Sequence, residues 1–220
     1  MERKLYHGSD RIVERPLMGV GNVHNDYGLG FCCTTIEPLA KEWGARKNGV
    51  GYVNIYSLRD DRFRILNLTK PPFDNVLYWV ALLMHNRDIS DDLRTNYPRE
   101  LKYLEKNYLV DVNEYDVVIG YRADDSYFRF PEAFVRSEIT FESLEKIFSA
   151  GKLGKQYVLI SKRAFDNIKF VGYFAVDEKY RDDYYSRKNG ADKAFADLLS
   201  EDRYSRGKRL RDMVMDDEDK

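Results

Sequence analysis

The chain has 220 residues, of which 43% are hydrophobic, so its length and apolar content suffice for one domain with a core of its own. Its 36 Lys and Arg residues balance 37 Asp and Glu residues, and the net charge of −1 argues against a general nucleic-acid coat or a polybasic membrane binder. The 17 Tyr and 12 Phe residues provide aromatic surface to bury and argue against a disordered chain.

The cysteines and the apolar segments exclude several further classes. Cys32 and Cys33 are adjacent, so a disulfide scaffold is excluded, and no group of Cys and His residues has the spacing of a zinc site. The N-terminal residues lack the apolar segment of a secretory signal, and the longest apolar run, residues 76–84, is too short to span a bilayer. We therefore expect a cytoplasmic protein that uses no metal and does not associate with membranes.

The first half of the chain is predicted to form strands around one helix. A glycine-rich loop over residues 16–30 separates the first two strands, and Pro38 favours a helix in which Leu39 and Trp43, with Ala40 as a further candidate, form the buried stripe. The last strand of this half is interpreted as the hairpin partner of the strand before it. In chain order the predictions are strands over 4–7 and 31–35, a helix over 37–46, and strands over 50–58 and 63–68.

Helices dominate the second half of the chain, with single strands between them. Residues 91–108 combine a helical spacing of apolar residues with a charged opposite face, and residues 156–161 form an apolar run typical of a central strand. In chain order the predictions are helices over 73–85 and 91–108, a strand over 115–121, helices over 124–135 and 141–148, a strand over 156–161, a short helix, and a strand over 169–176.

The composition changes after Val176. Residues 177–220 hold 13 acidic and 11 basic residues with few large aliphatic ones. This pattern predicts one or two exposed helices followed by a frayed, solvated acidic end. We therefore divide the chain into a domain over residues 1–176 and a charged helical C-terminal extension over residues 177–220.

Three short motifs are candidates for a functional site because of their order along the chain. The sequence contains no Walker loop, no Rossmann fingerprint after the first strand and no GxSxG elbow, so the common nucleotide and hydrolase sites are not indicated. The motifs are Tyr6-His7-Gly8-Ser9 at the end of the first strand, Tyr27-Gly28-Leu29-Gly30-Phe31-Cys32-Cys33 before the helix that carries Trp43, and Lys155-Gln156-Tyr157-Val158 on a late strand.

Together these motifs resemble the diphtheria-toxin and poly(ADP-ribose)-polymerase branch of the ADP-ribosyltransferases, in which a histidine, a tyrosine and a glutamate on three strands surround NAD. They look closer still to a bacterial family of small uncharacterised members of that superfamily, suspected to act as toxins with small antitoxin partners. The resemblance spans residues 4–176. It implies an α+β fold with an ADP-ribosyltransferase-like split β-sheet core around an NAD cleft, with inserted helices and a helical C-terminal extension.

The resemblance assigns the first contacts with NAD to the first motif and to the following helix. It implies that His7 hydrogen-bonds a ribose hydroxyl, that Gly8 offers backbone groups to the nicotinamide amide, and that Ser9 lies beside them. Trp43 falls where the polymerases place an aromatic residue that stacks on the nicotinamide ring. Stacking of a cationic ring on indole is favourable by about 0.5–2 kcal/mol.

The second and third motifs each depart from the family pattern at one position. Cys32 takes the place of the motif's tyrosine, so Phe31 or Tyr27, with Gly30 beside them, is expected to complete the contacts with NAD. Gln156 takes the place of the catalytic glutamate and is expected to assist near the reacting ribose through dipoles and hydrogen bonds only. Since chain elongation normally requires that glutamate, the resemblance implies the transfer of a single ADP-ribose.

Structural interpretations compete with these assignments. Taken alone, His7 is typical of a structural histidine, Trp43 of a core residue and Gln156 of a buried amide. Asp26 is interpreted as a turn residue, although it matches the loop acid of the bacterial family. The Asp124-Asp125 pair is interpreted as a helix N-cap, with a place on the acceptor side of the site as the alternative.

The implied function is NAD-dependent mono-ADP-ribosyl transfer to a macromolecule, either a protein or a nucleic acid, with release of nicotinamide. The implied setting is a bacterial toxin of a toxin–antitoxin or phage-defence system, with a small antitoxin protein as a further partner. Two alternatives stay open. One is a catalytically inactive protein of the same fold that binds NAD, another nucleotide or a partner, and the other is an NAD glycohydrolase with water as the acceptor.

Overall fold

The computed structural model describes residues 2–45, 49–123, 125–149, 154–177 and 179–219, which form an α+β fold. The strands are β1 Glu2–Ser9, β2 Phe31–Cys33, β3 Gly51–Arg59, β4 Ile65–Asn67, β5 Val117–Tyr121, β6 Lys155–Leu159 and β7 Ile168–Val176. The helices are α1 Glu37–Ala45, α2 Val76–Asn86, α3 Asp91–Asn96, α4 Pro98–Tyr108, α5 Asp125–Val135, α6 Phe141–Ser149, α7 Lys162–Asn167, α8 Lys179–Asp202 and α9 Leu210–Glu218.

The strands form two sheets that are joined, in the described part of the chain, by a bridge between β1 and the residue after β2. One sheet is antiparallel with the order β1-β3-β7, and the other has the order β2-β6-β5-β4. Tyr6 of β1 and Thr34, which follows β2, exchange two backbone hydrogen bonds of 2.8 and 2.9 Å. Because the first motif lies at the end of β1 and the second ends in β2, this bridge brings the two motifs together.

The pairing of β4 corrects one prediction. The segment over 63–68 was predicted to form a hairpin with the preceding strand, but β4 lies in the other sheet, where it runs parallel to β5. Both sides of β3 are occupied by β1 and β7, so no edge of β3 is left for a hairpin partner. The Asp116 carboxylate accepts a 2.9 Å hydrogen bond from the Arg64 backbone N–H and holds the start of β4 beside β5.

Most of the predicted helices are confirmed, but the one over 91–108 is divided in two. The break falls at Tyr97 and Pro98, between α3 and α4. Proline has no backbone N–H to donate and its ring disfavours helical dihedrals in the preceding residue, and Tyr97 has φ −127° and ψ 39°. The predicted limits at Arg46 and Asp124 lie outside the described residues.

The buried face of α1 differs from the predicted stripe. Its buried residues are Ala40, which the prediction included as a candidate, and Gly44 and Ala45, whereas Leu39 and Trp43 are only half-buried. Small side chains on this face allow the helix to pack closely on the first sheet. A Cβ atom on Gly44 would lie 2.9 Å from the carbonyl oxygen of Tyr52 in β3. Because the small residues of α1 face the sheet, Trp43 lies to the side of this contact and is not part of a core.

Two cores and a small third cluster of Tyr6, Ala40 and Val53 fill the described part of the fold. The larger surrounds α2, in which eight of the eleven residues are buried, as expected for a helix that is apolar on all sides. The smaller core contains residues of both sheets and one residue of α7, namely Leu5, Cys33, Tyr56, Leu58, Val117, Ile119, Leu159 and Ala164. No helix in the described part of the chain has the length and hydropathy needed to cross a membrane.

The C-terminal helices pack on the rest of the structure. In α8, Arg187 pairs with Glu42 of α1 at 2.8 Å. Leu210 and Val214 of α9 are buried in the larger core, and Asp217 pairs with Lys106 of α4 at 3.0 Å. The prediction of a frayed end is wrong up to Glu218, where α9 ends, whereas the predicted exposure of the acidic end is confirmed for Asp216, Glu218 and Asp219.

Candidate functional site

A cleft opens where the end of β1, the start of β2 and α1 come together. Its volume is about 620 Å³, and its wall includes the loop over residues 10–17 as well as parts of the two motifs. Within the described ranges, no residue after position 176 lines it. It brings together six of the eight predicted site residues, namely His7, Gly8, Ser9, Gly30, Phe31 and Trp43.

The His7 ring is held in one tautomer by the backbone of the second motif. Its Nδ1 lies 2.7 Å from the carbonyl oxygen of Cys32, and the ring packs on Phe31 with the centroids 4.4 Å apart. A carbonyl oxygen only accepts hydrogen bonds, so Nδ1 carries the proton. Burial lowers the pKa of His7 below its ordinary value of 6.5, which keeps the ring neutral at pH 7. Nε2 therefore carries a lone pair that can accept a hydrogen bond from a ligand hydroxyl.

Gly8 allows α1 to lie directly on the end of β1. A Cβ atom at this position would collide with the Ala40 carbonyl oxygen and lie 2.7 Å from both the Gly44 nitrogen and the Trp43 Cβ atom. The absence of a side chain thus has a packing reason besides the ligand contact that the resemblance implies. It also places Trp43 directly beside the first motif.

Trp43 lines the cleft with one face of its ring already covered. The Arg122 guanidinium lies over the indole at 4.7 Å from the ring centroid, a favourable cation–π geometry. A ligand ring can therefore stack only on the opposite face. The indole Nε1 is buried and has no hydrogen-bond partner among the described residues.

The loop after β1 is held in place by two buried side chains of β3. Asn54 accepts a 2.8 Å hydrogen bond from the Val13 N–H and donates to the Arg11 carbonyl oxygen at 3.1 Å. The hydroxyl of Tyr56 donates to the carbonyl oxygen of Val13. Sequence reasoning missed Asn54, although a polar amide between apolar residues in the middle of a strand was a usable signal. As a result, Arg11 and Arg15 are presented along one wall of the cleft.

Gln156 lies behind the cleft wall and does not line it. Its side chain is on the central strand β6, the residue is 6% exposed, and its Nε2 donates to a carboxylate oxygen of Asp26 at 2.9 Å. This is the geometry of a buried, hydrogen-bonded amide. Gln156 is therefore not among the predicted site residues that line the cleft.

Asp26 is buried at the centre of a hydrogen-bonded cluster, which the sequence analysis did not anticipate for a turn residue. It is 5% exposed, and besides Gln156 it accepts hydrogen bonds from the Ala123 N–H at 2.8 Å and from Arg87 Nη1 at 3.2 Å. Burial raises the pKa of Asp26 to about 6, against the opposing effect of Arg87 first and then of its hydrogen-bond donors and Arg122. The carboxylate is ionised at neutral pH and partly protonated at mildly acidic pH.

The cysteines of the second motif are not nucleophiles in this environment. Burial raises the pKa of the Cys32 thiol to about 12, and the negative charge of Asp26 acts in the same direction. Burial also raises the pKa of Cys33 well above its ordinary value. Both therefore stay as thiols, the less reactive form. The backbone carbonyl of Cys32, which binds His7, is the part of this residue with a clear role in the site.

Tyr27 is not brought to the cleft. It is 1% exposed, and its hydroxyl donates to the Tyr121 carbonyl oxygen at 2.6 Å. Gly120 in β5 leaves the space for this hydroxyl, since a Cβ atom there would collide with it. Tyr27 instead borders a second cavity of about 600 Å³ on the other side of the glycine loop, where His85 and Asn86 also lie.

Two further predictions concern residues near the site. In the part of the chain that the structure describes, no group of three or more His, Cys, Asp or Glu residues could hold a metal ion. The Asp124-Asp125 pair, predicted as an N-cap or part of the acceptor side, cannot be assigned to either role, because Asp124 and the Asp125 side chain lie outside what is described.

Comparison with known proteins identifies one family. A family model described as a protein of unknown function (DUF3990) matches residues 3–170. The matched region contains both motifs of the cleft, Trp43 and the Asp26–Gln156 pair, and it ends within β7, before α8 and α9. No curated protein and no solved structure matches the chain.

Proposed function

The chain belongs to DUF3990, a family of proteins of unknown function, and from its cleft we propose that it transfers a single ADP-ribose from NAD to a macromolecular acceptor. The observation that carries this proposal is one cavity lined jointly by the first motif, the second motif and Trp43. The resemblance assigns all three of these separate segments to contacts with NAD.

The chemical character of the cleft suits a dinucleotide. Its volume of about 620 Å³ lies within the usual range for small-molecule sites. Phe31 and Trp43 offer aromatic surface for the rings, and His7 Nε2 offers an acceptor for a ribose hydroxyl. Arg11 and Arg15 offer guanidinium groups that suit a diphosphate.

The proposed reaction breaks the bond between ribose C1′ and the nicotinamide nitrogen. The bonding electron pair stays with that nitrogen, which leaves as neutral nicotinamide, and the ribose carbon develops oxocarbenium character. An oxygen or nitrogen of the acceptor forms the new bond to C1′ and releases its proton to solvent. The residues of the cleft contribute by holding the donor in a reactive orientation. Such positioning lowers the activation barrier of the reaction.

Nicotinamide release from NAD tests the proposal directly. Purified protein is incubated with NAD labelled in its adenine, with and without a cell lysate, and both nicotinamide and the label in protein or nucleic acid are measured. Lysate-dependent release together with labelled macromolecule supports the transferase. Release that needs no macromolecule identifies a glycohydrolase instead, and saturable NAD binding without release identifies a binding protein.

Substitutions in the cleft test the site assignment. We expect His7→Ala and Gln156→Ala each to reduce turnover at least about tenfold without unfolding the protein. His7→Ala removes a contact that orients the donor, and Gln156→Ala removes a side chain that supports the wall of the cleft. His24→Ala is the matched control, because His24 is exposed and lines neither cavity. Wild-type turnover in both cleft variants would contradict the assignment.

The proposal also includes a biological setting for this activity. It is a bacterial toxin that modifies a target and is neutralised by a small antitoxin protein, and it rests on the family resemblance. Induced expression in a bacterial host is expected to arrest growth for the wild type and not for His7→Ala at equal protein levels. Equal growth of the two strains would contradict the toxin role while leaving the enzymatic test unaffected.

A further inference from the structure

Asp26 connects four separate segments of the chain at the back of the cleft. It lies in the glycine loop and accepts hydrogen bonds from Gln156 of β6, from the Ala123 backbone after β5, and from Arg87 at the end of α2. A buried carboxylate is costly unless it is paired and hydrogen-bonded, and here both oxygens are used. Such an arrangement fixes the relative positions of the segments that it joins.

The cluster also fixes the orientation of the Gln156 amide. A carboxylate only accepts hydrogen bonds, so Nε2 and not Oε1 of Gln156 faces Asp26. The Oε1 atom consequently points away from Asp26, and no described residue donates a hydrogen bond to it. An amide oxygen that is held in one direction and left without a donor can act on a group outside the cluster.

A second path leads from Asp26 to the cleft itself. The Ala123 N–H bonds to Asp26, and the preceding residue, Arg122, lies over the ring of Trp43 in the cleft wall. Cys32, whose thiol is influenced by the Asp26 charge, also lines the cleft. Asp26 therefore acts on the cleft through its neighbours, without being part of the wall.

We propose that Asp26 is the positioning residue of this site, which orients the Gln156 amide and holds the Arg122–Trp43 stack in place for the bound donor. The inference rests on the proposed function for its role in catalysis, but its structural part concerns the free protein. Asp26 makes no contact with substrate in this account. Its effect on the reaction is transmitted through Gln156 and Trp43.

The first test is Asp26→Asn, which preserves size and removes the charge. One of its two terminal atoms becomes a donor, which cannot accept from Gln156, Ala123 or Arg87. We expect kcat for nicotinamide release to fall at least about tenfold with KM for NAD changed less than about threefold, because binding groups in the wall remain. A variant with the wild-type kcat would overturn the proposal. Asp88→Asn, at an exposed carboxylate beyond α2, is the control.

Exchanging the carboxylate and the amide between positions 26 and 156 distinguishes the role of the Asp26–Gln156 pair from a general loss of packing. Gln156→Glu alone places two carboxylates in contact, and their repulsion is expected to lower kcat and stability together. The double variant Asp26→Asn with Gln156→Glu restores one amide and one carboxylate in reversed order. We expect the double variant to recover part of the kcat lost in Gln156→Glu. A double variant no more active than the product of the two single losses would contradict the coupling.

The pH dependence supplies a readout that a purely structural role would not move. The groups facing Asp26 in the described structure are Arg87, Arg122, the Tyr27 hydroxyl and the Cys32 thiol. Burial raises the pKa of Tyr27 and of Cys32, so neither of these two groups ionises between pH 5 and 8. The wild-type rate is therefore expected to fall as the pH drops through about 6. Asp26→Asn is expected to lack this inflection, whereas any effect of His7 remains in both proteins.

An NMR titration of the free protein keeps the inference distinct from the proposed function. The side-chain Nε2 resonances of Gln156 are expected to shift with the protonation of Asp26 in the wild type and to stay constant in Asp26→Asn. A Gln156 signal that does not respond to pH in the wild type would overturn the inference. A responsive signal in a protein that never releases nicotinamide would instead overturn the proposed function and leave the Asp26–Gln156 pair intact.

Discussion

At the scale of single residues, Asn54 holds the loop after β1 in place, a role that its position in the sequence only partly indicates. Replacing Asn54 with Ala removes the acceptor for the Val13 N–H and the donor to Arg11, and leaves those backbone groups without these partners. We expect a loss of about 1–3 kcal/mol in the free energy of unfolding. Chemical denaturation measures it, with the neighbouring Ser57→Ala, at a half-buried position, expected to change stability by no more than about 0.5 kcal/mol. Equal midpoints for the two variants would contradict this role.

Those residues of the candidate site could be predicted whose place in the cleft depends only on their position along the backbone. His7, Gly8 and Phe31 lie at strand ends that the motifs mark, and they share the cleft. Gln156 and Tyr27 do not, because the direction of a side chain depends on which partner its segment meets. The sequence showed the strand that carries Gln156 but not the buried Asp26 carboxylate that would hold its amide.

At the scale of secondary-structure elements, the packing of α1 on β1 depends on a missing side chain. Gly8→Ala introduces a Cβ atom that collides with the helix backbone, so the helix must shift. We expect a loss of about 1–3 kcal/mol in stability and a displaced Trp43. Gly190→Ala in α8 is the matched control, since nothing lies within 4 Å of its added atom, and it is expected to stabilise the helix by up to about 1 kcal/mol. Thermal unfolding of both variants checks the opposite signs.

The approximate positions of helices and strands could be predicted from local chemistry, whereas the pairing of the strands could not. Periodicity identified β3 and β6, but it contained no information that β4 would leave the first sheet and pair in parallel with β5. The break at Pro98 was visible in the sequence, and a stricter use of proline would have divided the helix correctly. Strand pairing depends on contacts between residues that are distant along the chain. The local patterns of a single sequence indicate a strand but not its partner.

At the scale of the whole molecule, the C-terminal helices are part of the fold that supports the cleft. Phe195 of α8 packs edge-on against the buried Phe130 of α5 with their centroids 5.0 Å apart. We expect Phe195→Ala to cost about 3–5 kcal/mol in the free energy of unfolding. Tyr204→Ala is the matched aromatic control, because Tyr204 is 84% exposed, and its effect is expected to stay within about 0.5 kcal/mol. An equally small effect at Phe195 would show that α8 is only loosely attached.

The buried Asp26 also makes a prediction about the stability of the whole protein as a function of pH. Its pKa is about 6 in the folded state and near its ordinary value of 3.8 in the unfolded state, so between these values the folded protein holds a proton that the unfolded chain has lost. Stability from this group therefore falls as the pH rises through that window. The total change is about 3 kcal/mol.

Comparison with Asp26→Asn isolates this contribution, because other titrating groups, including His7, are common to both proteins. The free energy of unfolding of the wild type minus that of the variant is expected to decrease from pH 4 to pH 6 and to level off above it. Urea denaturation at a series of pH values measures the difference. A flat difference would mean that Asp26 keeps an ordinary pKa in the folded protein, and a rising difference would mean that its three donors and the nearby arginines lower the pKa. Either result would contradict the expected effect of burial.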